Sequence, residues 1–311
     1  MTSLPPGRAG HWSALAERGT AWGMRFVLLS RRLLGRQGCR AVLLPVVTWF
    51  WLTERARREA SMAYLAKVRM RLGQGRPRWW HSVDHYLNFA TKALDSVVAA
   101  QSPAAIGPVR VVDPDGLAQV AARGRGGMVV VSHLGNADLS RVAMGGRLAR
   151  GMTVLMHTHH AAQYNRLLDR LHGDPLNRTL QVTELGPETA IDLQLRVERG
   201  EWLAMAADRT PVGGRGRVAR VPFLGAPAAF ALGPWVLAGL LGCPVFLLFC
   251  LRDADGGHTV HLELFAERVA LPRGGRDGAL ADLAERYARR LEHYTLLAPR
   301  QWYNFYDYWA G

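Results

Sequence analysis

The sequence predicts an α/β fold, with a mixed, mostly parallel sheet flanked by helices, behind a helical N-terminal region. From about residue 106, short runs rich in β-branched residues alternate with helix-length segments, which is the pattern of an α/β domain. Before that point the chain has longer apolar segments of helical spacing. We therefore divide it into a basic helical region, residues 1–105, and an α/β domain, residues 106–311.

The strands and helices of the domain follow from length and periodicity. Between the two helix-length segments of the first region, residues 73–77 hold Gly and Pro and form a break. Strands are predicted at residues 128–132, 153–156, 202–206, 245–251 and 260–265. Helices are predicted at residues 54–72, 82–100, 138–150, 162–171, 188–199, 233–241 and 279–297.

Composition limits the class of protein. The 311 residues are 49% hydrophobic and include ten Trp, so the chain can bury a large core and is not a disordered protein. Cys39, Cys243 and Cys250 are odd in number and lie in apolar surroundings. They are predicted to be reduced core residues.

The positive charge is concentrated in the N-terminal region. Residues 1–100 contain 16 Lys/Arg against 5 Asp/Glu, out of a net charge of +14 for the chain. Almost all of these cations are Arg, which binds phosphates and carboxylates through two parallel hydrogen bonds. Anionic lipid headgroups and an acidic protein partner both fit this charge. Nucleic acid is not expected, since no zinc-finger or RNA-recognition motif is present.

An apolar segment near the N-terminus predicts attachment to a membrane surface. Residues 41–53 form an apolar run of 13 residues that includes Pro45, which is too short to span a bilayer. Trp49, Phe50 and Trp51 are followed closely by Arg55, the order expected at a headgroup boundary. The alternative is a buried helix hairpin capped by solvated arginines. The early Arg residues and the missing cleavage site argue against a cleaved signal peptide.

One segment carries a candidate catalytic pair. The apolar run 128–132 leads into a short polar loop and then a helix, with His133 at the end of the strand and Asp138 in the first helical turn. Open α/β sheets bind ligands at this edge. A carboxylate that orients an imidazole makes a general base, so the spacing predicts that Asp138 orients His133.

Other interpretations of this segment are weaker. Ser132 as a nucleophile is disfavoured, since adjacent strand residues point to opposite faces and no Gly-x-Ser-x-Gly turn is present. Taken alone, the spacing between His133 and Asp138 fits equally a simple helix cap formed by Asp138. A third alternative is a non-catalytic, membrane-associated adaptor on the same fold. Its only support is Ala137, which departs from the motif described next.

The motifs together resemble the bacterial lipid A late acyltransferase family, within the lysophospholipid acyltransferase superfamily. The family's motif is Ser-His-x-Gly-Asn, followed by an aromatic and an acidic residue. This chain matches the motif with two departures: Ala137 replaces the usual Trp, and Asp138 replaces the commoner Glu. Two further blocks resemble family motifs around residues 207–210 and 221–227, and the aromatic residues 302–309 resemble the family's ending. Within the family, the His11-Trp12 start and the ending at residues 302–309 are similar to the branch found in aryl-polyene pigment clusters. Matching positions are Ser132, His133, Gly135, Asn136, Asp138, Asp208, Arg209, Phe223 and Gly225.

The resemblance implies a fold like that of glycerol-3-phosphate acyltransferase and a defined reaction. A fatty acyl chain would pass from an acyl carrier protein thioester, or from coenzyme A, to a hydroxyl of a lipid or glycolipid, at the cytoplasmic face of the bacterial inner membrane. It implies no cofactor and no metal. The oxyanion would be stabilised by nearby backbone N–H groups or Arg209. His133 and Asp138 would be catalytic; Gly135, Asn136, Asp208, Arg209, Phe223 and Gly225 would bind substrate.

Two other clusters of residues have more than one interpretation. His157, His159 and His160 suggest a metal site, but no carboxylate follows at ligand spacing, and a strand-end turn is the preferred interpretation. Arg215, Arg217 and Arg220 lie among glycines. This basic loop is predicted either to dock an acidic carrier or lipid phosphate, or to be simply solvated.

Overall fold

A computed structural model describes residues 21–139, 148, 151–156, 177–181, 186–210 and 217–310. One seven-stranded sheet has the strand order β1-β9-β8-β2-β5-β3-β4. All neighbours in it are parallel except β8 and β9. The strands are β1 Val109–Val112, β2 Met128–Val131, β3 Met152–Met156, β4 Asn177–Gln181, β5 Trp202–Ala206, β6 Val218–Phe223, β7 Ala226–Ala231, β8 Val245–Arg252 and β9 His258–Ala266.

Helices flank the sheet and form the N-terminal region. A short 3₁₀ helix, Pro103–Ile106, precedes β1. The α-helices are α1 Ala21–Thr53, α2 Arg55–Arg71, α3 Trp79–Gln101, α4 Leu117–Ala122, α5 Pro187–Glu198, α6 Gly233–Leu241 and α7 Arg276–Leu297.

The central strands are buried on both faces. In β2, Met128 and Val130 belong to a core cluster that includes residues of α2, α6 and α7, whereas Val129 belongs to a second cluster with Trp202 and Phe246. Alternate strand residues face opposite sides of a sheet, so one continuous apolar run fills both cores. The crevice at the carboxyl edge of these strands is thereby set on a rigid base.

Strands β6 and β7 form a separate antiparallel hairpin. Its two-residue turn is Leu224-Gly225, and both residues have positive φ, 51° and 80°. A left-handed turn of this kind matches the twist of the two strands, and glycine accepts it without strain.

Helix α1 has one buried face and one exposed face. Cys39, Leu43 and Val47, four residues apart, pack on α3, whereas Leu44 and Trp49 are exposed. Arginines on its inner side are paired: Arg31 and Arg36 with Asp95, and Arg40 with Asp84. The helix is interrupted at Gly35, which has non-helical φ and ψ angles. Among the described residues, no helix is both long enough and apolar enough to cross a bilayer.

The α/β fold class is confirmed, and the five predicted strands lie within two residues of the observed ones. Predicted helices match within three residues, apart from residues 162–171 and most of 138–150, which lie outside the described residues. The sequence did not indicate β1, β4, β6, β7 or α4. The domain division at residue 106 stays a prediction, because α3 packs both on α1 and, through Ala99, under the sheet.

Candidate active site

The loop after β2 is folded tightly against β8. Gly135 has φ +69°, and a Cβ at this position would lie 1.9 Å from the carbonyl oxygen of Cys250. The backbone N–H of Asn136 donates to that same carbonyl at 2.7 Å. Only glycine fits this approach, which explains the Gly-Asn pair of the motif. Residues 137–139 then begin a helix.

Asp208 is the hydrogen-bond partner of His133. Strands β2 and β5 are parallel neighbours with Val131 opposite Ala206, so the residues that follow the two strands meet at one edge of the sheet. Oδ1 of Asp208 lies 2.8 Å from His133 Nδ1, and Oδ2 accepts the backbone N–H of His133 at 2.8 Å. The carboxylate thus holds both the main chain and the ring of the histidine.

This contact fixes the state of the imidazole. A buried carboxylate accepts a hydrogen bond, so Nδ1 carries the proton and Nε2 presents its lone pair. Nε2 makes no hydrogen bond within the described part of the chain, and the side chain is 33% exposed. Desolvation lowers the pKa of His133, the nearby Arg209 lowers it further, and Asp208 partly opposes both. The ring is therefore neutral near pH 7.

The aspartate itself is held in its charged form. Burial alone would raise the pKa of Asp208, but the interaction with His133 and the charge of Arg209 bring it below its usual value. The fully buried side chain also accepts a hydrogen bond from the indole Nε1 of Trp302 at 2.9 Å. Several donors directed at one carboxylate stabilise its ionised state.

Asp138 occupies a different position from the predicted one. Its Oδ2 accepts hydrogen bonds from Lys92 Nζ at 2.7 Å and from Ser96 Oγ at 2.9 Å, both on α3. The hydrogen bonds of His133 go to Asp208, so the predicted pairing of Asp138 with the imidazole is replaced by Asp208. The reason is topological: β5 brings Asp208 beside the end of β2, whereas the helical turn at residue 138 faces α3.

The loop's other motif residues have structural partners. Asn136 is buried, accepts a hydrogen bond from Ser96 Oγ at 2.9 Å, and donates to the carbonyl of Lys92 at 3.2 Å. The N–H of Gly135 donates to the carbonyl of Gln301 at 2.7 Å. These contacts position the loop, and substrate binding by Asn136 and Gly135 stays a prediction.

Backbone N–H groups of the loop are also engaged. The N–H of Leu134 donates to Ser132 Oγ at 3.2 Å, and those of His133, Gly135 and Asn136 are bonded as described above. Four successive amides of the loop are therefore not available to an oxyanion. The role of Arg209 as an oxyanion donor stays a prediction.

Arg209 lies next to the histidine and is anchored from one side. Its Nε donates to Asn304 Oδ1 at 2.9 Å, and its Nη2 donates to the carbonyl of Tyr303 at 3.1 Å. The residue as a whole is exposed, and Nη1 has no hydrogen-bond partner among the described residues. A guanidinium held in this way offers a cationic donor at the crevice.

Phe223 and Gly225 belong to the β6–β7 hairpin. Phe223 is 0% exposed and packs in an aromatic cluster with Phe230, Trp302 and Tyr308, so it is a core residue rather than an open substrate contact. Gly225 forms the β6–β7 turn. In the structure Phe223 packs in the core and Gly225 forms a turn.

The C-terminal segment builds one wall of the site, which sequence reasoning did not foresee. Leu134 forms an isolated bridge with Trp302, and the N–H of Tyr303 donates to the carbonyl of His133 at 3.0 Å. The only signal in the sequence was the aromatic ending itself. Its contacts with the histidine loop could not be read from spacing, since they join residues far apart in the chain.

Three further predictions concern the histidine cluster, the basic loop and the cysteines. Within the described residues, no group of three or more His, Cys, Asp or Glu could hold a metal ion. His157, His159 and His160 lie outside the described residues, as does Arg215. Arg217 forms an ion pair with Asp277. The three cysteines are buried and none of them forms a disulfide bond.

The fold and the site define an α/β protein with a His–Asp pair at the carboxyl edge of a mostly parallel sheet, the edge at which such sheets bind ligands. A family model for bacterial lipid A biosynthesis acyltransferase matches residues 90–310. The match covers well over half of the 311 residues, and the chain belongs to this family. It is an acyltransferase with a lipid acceptor. No curated protein matches it. The likeness to the aryl-polyene pigment-cluster branch stays a prediction.

Proposed function

We propose that this acyltransferase moves a fatty acyl group from an acyl carrier protein thioester to a hydroxyl of a lipid or glycolipid, with His133 as the general base. The observation that carries the mechanism is the 2.8 Å contact between His133 Nδ1 and Asp208 Oδ1. It leaves Nε2, the outward nitrogen, able to accept a proton. Asp208 takes the orienting role that the spacing had given to Asp138.

The reaction is a direct transfer. Nε2 of His133 removes the proton of the acceptor hydroxyl, whose oxygen attacks the thioester carbonyl and forms the new C–O bond. The C–S bond of the tetrahedral intermediate then breaks, and the leaving thiolate takes the proton from the imidazolium. Asp208 stabilises the imidazolium throughout. No enzyme nucleophile, metal or cofactor takes part in these steps.

Arg209 is proposed to stabilise the oxyanion. Its guanidinium lies close enough to lower the pKa of His133, and Nη1 is not bonded among the described residues. A donor that is already fixed costs little reorganisation when negative charge develops. Asn304 and the backbone of Tyr303 supply that fixation from the opposite side of the guanidinium.

The proposed donor and location follow from charge and exposed apolar surface. Trp49 is 65% exposed, and Leu52, Trp79 and Trp80 are exposed as well. Exposed arginines lie nearby in the chain, including Arg78, whose guanidinium stacks over Trp80 at 4.9 Å. Exposed tryptophans with arginines suit the headgroup layer of an anionic membrane, here the cytoplasmic face of the inner membrane. An acidic carrier protein would be attracted to the same cationic protein.

The first experiment measures acyl transfer by the purified chain in lipid vesicles containing acceptor lipid, with radiolabelled acyl-carrier protein or acyl-coenzyme A as donor. We expect transfer by the wild type, faster from the carrier protein and slowed by salt. His133→Gln should lose it by about 10²- to 10⁴-fold. The matched control is His293→Gln, an exposed histidine on α7, which should keep full activity.

The outcomes separate the alternatives. A His133→Gln protein as active as the wild type would show that another group is the base. If the wild type transfers from neither donor to any acceptor lipid, while still binding vesicles, the adaptor alternative replaces the enzyme. Vesicle binding is tested with Trp49→Ser and Leu52→Ser, against Leu240→Ser on α6, which is also exposed. Equal binding by all three variants would refute the proposed membrane surface.

A further inference from the structure

Trp302 connects the C-terminal segment to the carboxylate that holds the base. The side chain is 0% exposed, and its indole N–H donates to Asp208 Oδ2 at 2.9 Å. The same oxygen accepts the backbone N–H of His133, while Oδ1 faces the imidazole. The indole therefore helps to determine which way the carboxylate turns. It has no contact with solvent, so it does not touch a substrate.

The position of Trp302 is itself fixed from several sides. Its ring packs against Tyr64, Phe223 and Tyr308, with centroids 4.8 to 5.2 Å apart. Its main chain bridges to Leu134 in the histidine loop. Its carbonyl oxygen lies 2.9 Å from Nε2 of His85, a fully buried histidine of α3.

A chain of hydrogen bonds leads to that histidine from the N-terminal helices. Trp51 Nε1 donates to Ser82 Oγ at 3.0 Å, Ser82 donates to Ser61 Oγ at 2.8 Å, and Ser61 Oγ lies 3.0 Å from Nδ1 of His85. Burial lowers the pKa of His85 to about 4, so the ring is neutral and has one donor and one acceptor nitrogen. Ser61 donates to Nδ1, and Nε2–H donates to Trp302. All donors point the same way, and each bond strengthens the next.

We propose that Trp302 is a positioning residue for acyl transfer, which holds the Asp208 carboxylate in the orientation that presents Oδ1 to His133, and that the chain through His85 holds Trp302. The inference rests on the proposed function for its kinetic test. It adds a residue of the C-terminal segment, and through it the helices α1 to α3, to the machinery that orients the base.

The chain offers a matched pair of variants. Trp302→Phe keeps an aromatic ring in the cluster and removes the N–H. Trp235→Phe makes the same change at another fully buried tryptophan of the same core, whose Nε1 has no hydrogen-bond partner. Both lose the same atoms to the core, so the difference between them isolates the hydrogen bond to Asp208.

We expect Trp302→Phe to lower kcat about tenfold with KM unchanged, since a hydrogen bond to a charged group is lost but no substrate contact changes. Without this donor Asp208 becomes more basic and attracts the imidazolium more strongly. The acid limb of the pH–rate profile should therefore move to higher pH. Trp235→Phe should keep the wild-type kcat, and the acid limb of its pH–rate profile should stay at the wild-type pH. Equal effects of the two variants, or no effect of Trp302→Phe, would overturn the proposal.

A second measurement needs neither activity nor a variant that folds. In the wild-type protein, the indole N–H resonance of Trp302 should shift with pH as His133 titrates, because both donate to one carboxylate, while that of Trp235 stays constant. A resonance of Trp302 that does not respond to pH would refute the linkage. If the wild type fails to transfer acyl groups, this titration still decides the role of Trp302 separately from the proposed function.

Discussion

Nζ of Lys92 lies 2.7 Å from Oδ2 of Asp138, in an ion pair that ties α3 to the helical turn behind the histidine loop. The hydroxyl of Ser96, one turn further along α3, lies 2.9 Å from the same oxygen and 2.9 Å from Oδ1 of Asn136, so its single hydrogen is available to either acceptor. The acidic residue of the motif is thus part of a support beneath the loop. The imidazole of His133 is oriented separately, by Asp208 at the end of a neighbouring strand.

Two conservative variants distinguish these roles. Asp208→Asn should lower the rate about 10³- to 10⁴-fold, because the amide cannot hold the imidazole in the required tautomer. Asp138→Asn should cost about tenfold or less, since it weakens one partly exposed ion pair and a hydrogen bond to Ser96. Steady-state transfer rates of the two variants, each compared with the wild type, show which aspartate orients His133. A larger loss in Asp138→Asn would restore Asp138 as the orienting residue.

The pH dependence of transfer should show a base whose pKa lies below that of an ordinary histidine. Desolvation and the charge of Arg209 lower the pKa of His133, so the acid limb should lie below the ordinary histidine value of about 6.5. Arg209→Gln removes one of the lowering influences, and its limb should move to higher pH as its rate falls. Arg217→Gln, in the exposed ion pair with Asp277, is the control with an unchanged limb. A limb that does not move in Arg209→Gln would contradict this account.

Buried histidines should make the fold sensitive to acid. Burial lowers the pKa of both His85 and His258 to about 4, against about 6.5 in the unfolded chain. Between these values the unfolded state binds more protons, so stability is lost as pH falls from 6.5 towards 4, by about 3 kcal/mol for each histidine. Urea unfolding from pH 7.5 to 4 measures this slope.

His85→Gln should remove about half of that slope, whatever it does to the stability at pH 7.5. His293→Gln, an exposed residue, should leave the slope as in the wild type. An unchanged slope in His85→Gln would mean that His85 is not held neutral in the folded protein.

Gly135 should tolerate no side chain. Its φ is positive, and an added Cβ would lie 1.9 Å from the Cys250 carbonyl oxygen, so Gly135→Ala must displace the loop or β8. We expect a loss of about 2–4 kcal/mol in unfolding free energy, together with most of the transfer activity. Gly75→Ala, where no atom lies within 4 Å of the added Cβ, is the control. Near-wild-type stability of Gly135→Ala would contradict the close approach.

The strands and helices that depend on local pattern were predicted from the sequence alone. Strand β2 and the loop to His133 were predicted from an apolar run followed by polar residues, and β5, β8 and α6 from their length and composition. The short strand β1 was missed because its pairing depends on β9, far along the chain, and the hairpin β6–β7 was missed because its apolar alternation is weak.

The partner of the histidine could not be predicted for the same reason. Spacing favoured Asp138 because it is five residues from His133, but the end of β5 brings Asp208 closer. Sheet order decides this contact, and sheet order depends on tertiary pairing rather than on local sequence. The Asp208-Arg209 block was recognised as functional, yet its geometry required the structure.

The bridge between Leu134 and Trp302 has a consequence for how the protein is made. The strand that carries His133 leaves the ribosome long before residues 301–304, which cover the loop and hold Asp208 and Arg209. Contacts between such distant segments form late, since a long loop must close first. A nascent chain can therefore fold much of its sheet, and bring Asp208 to His133, before the Trp302 indole reaches that carboxylate.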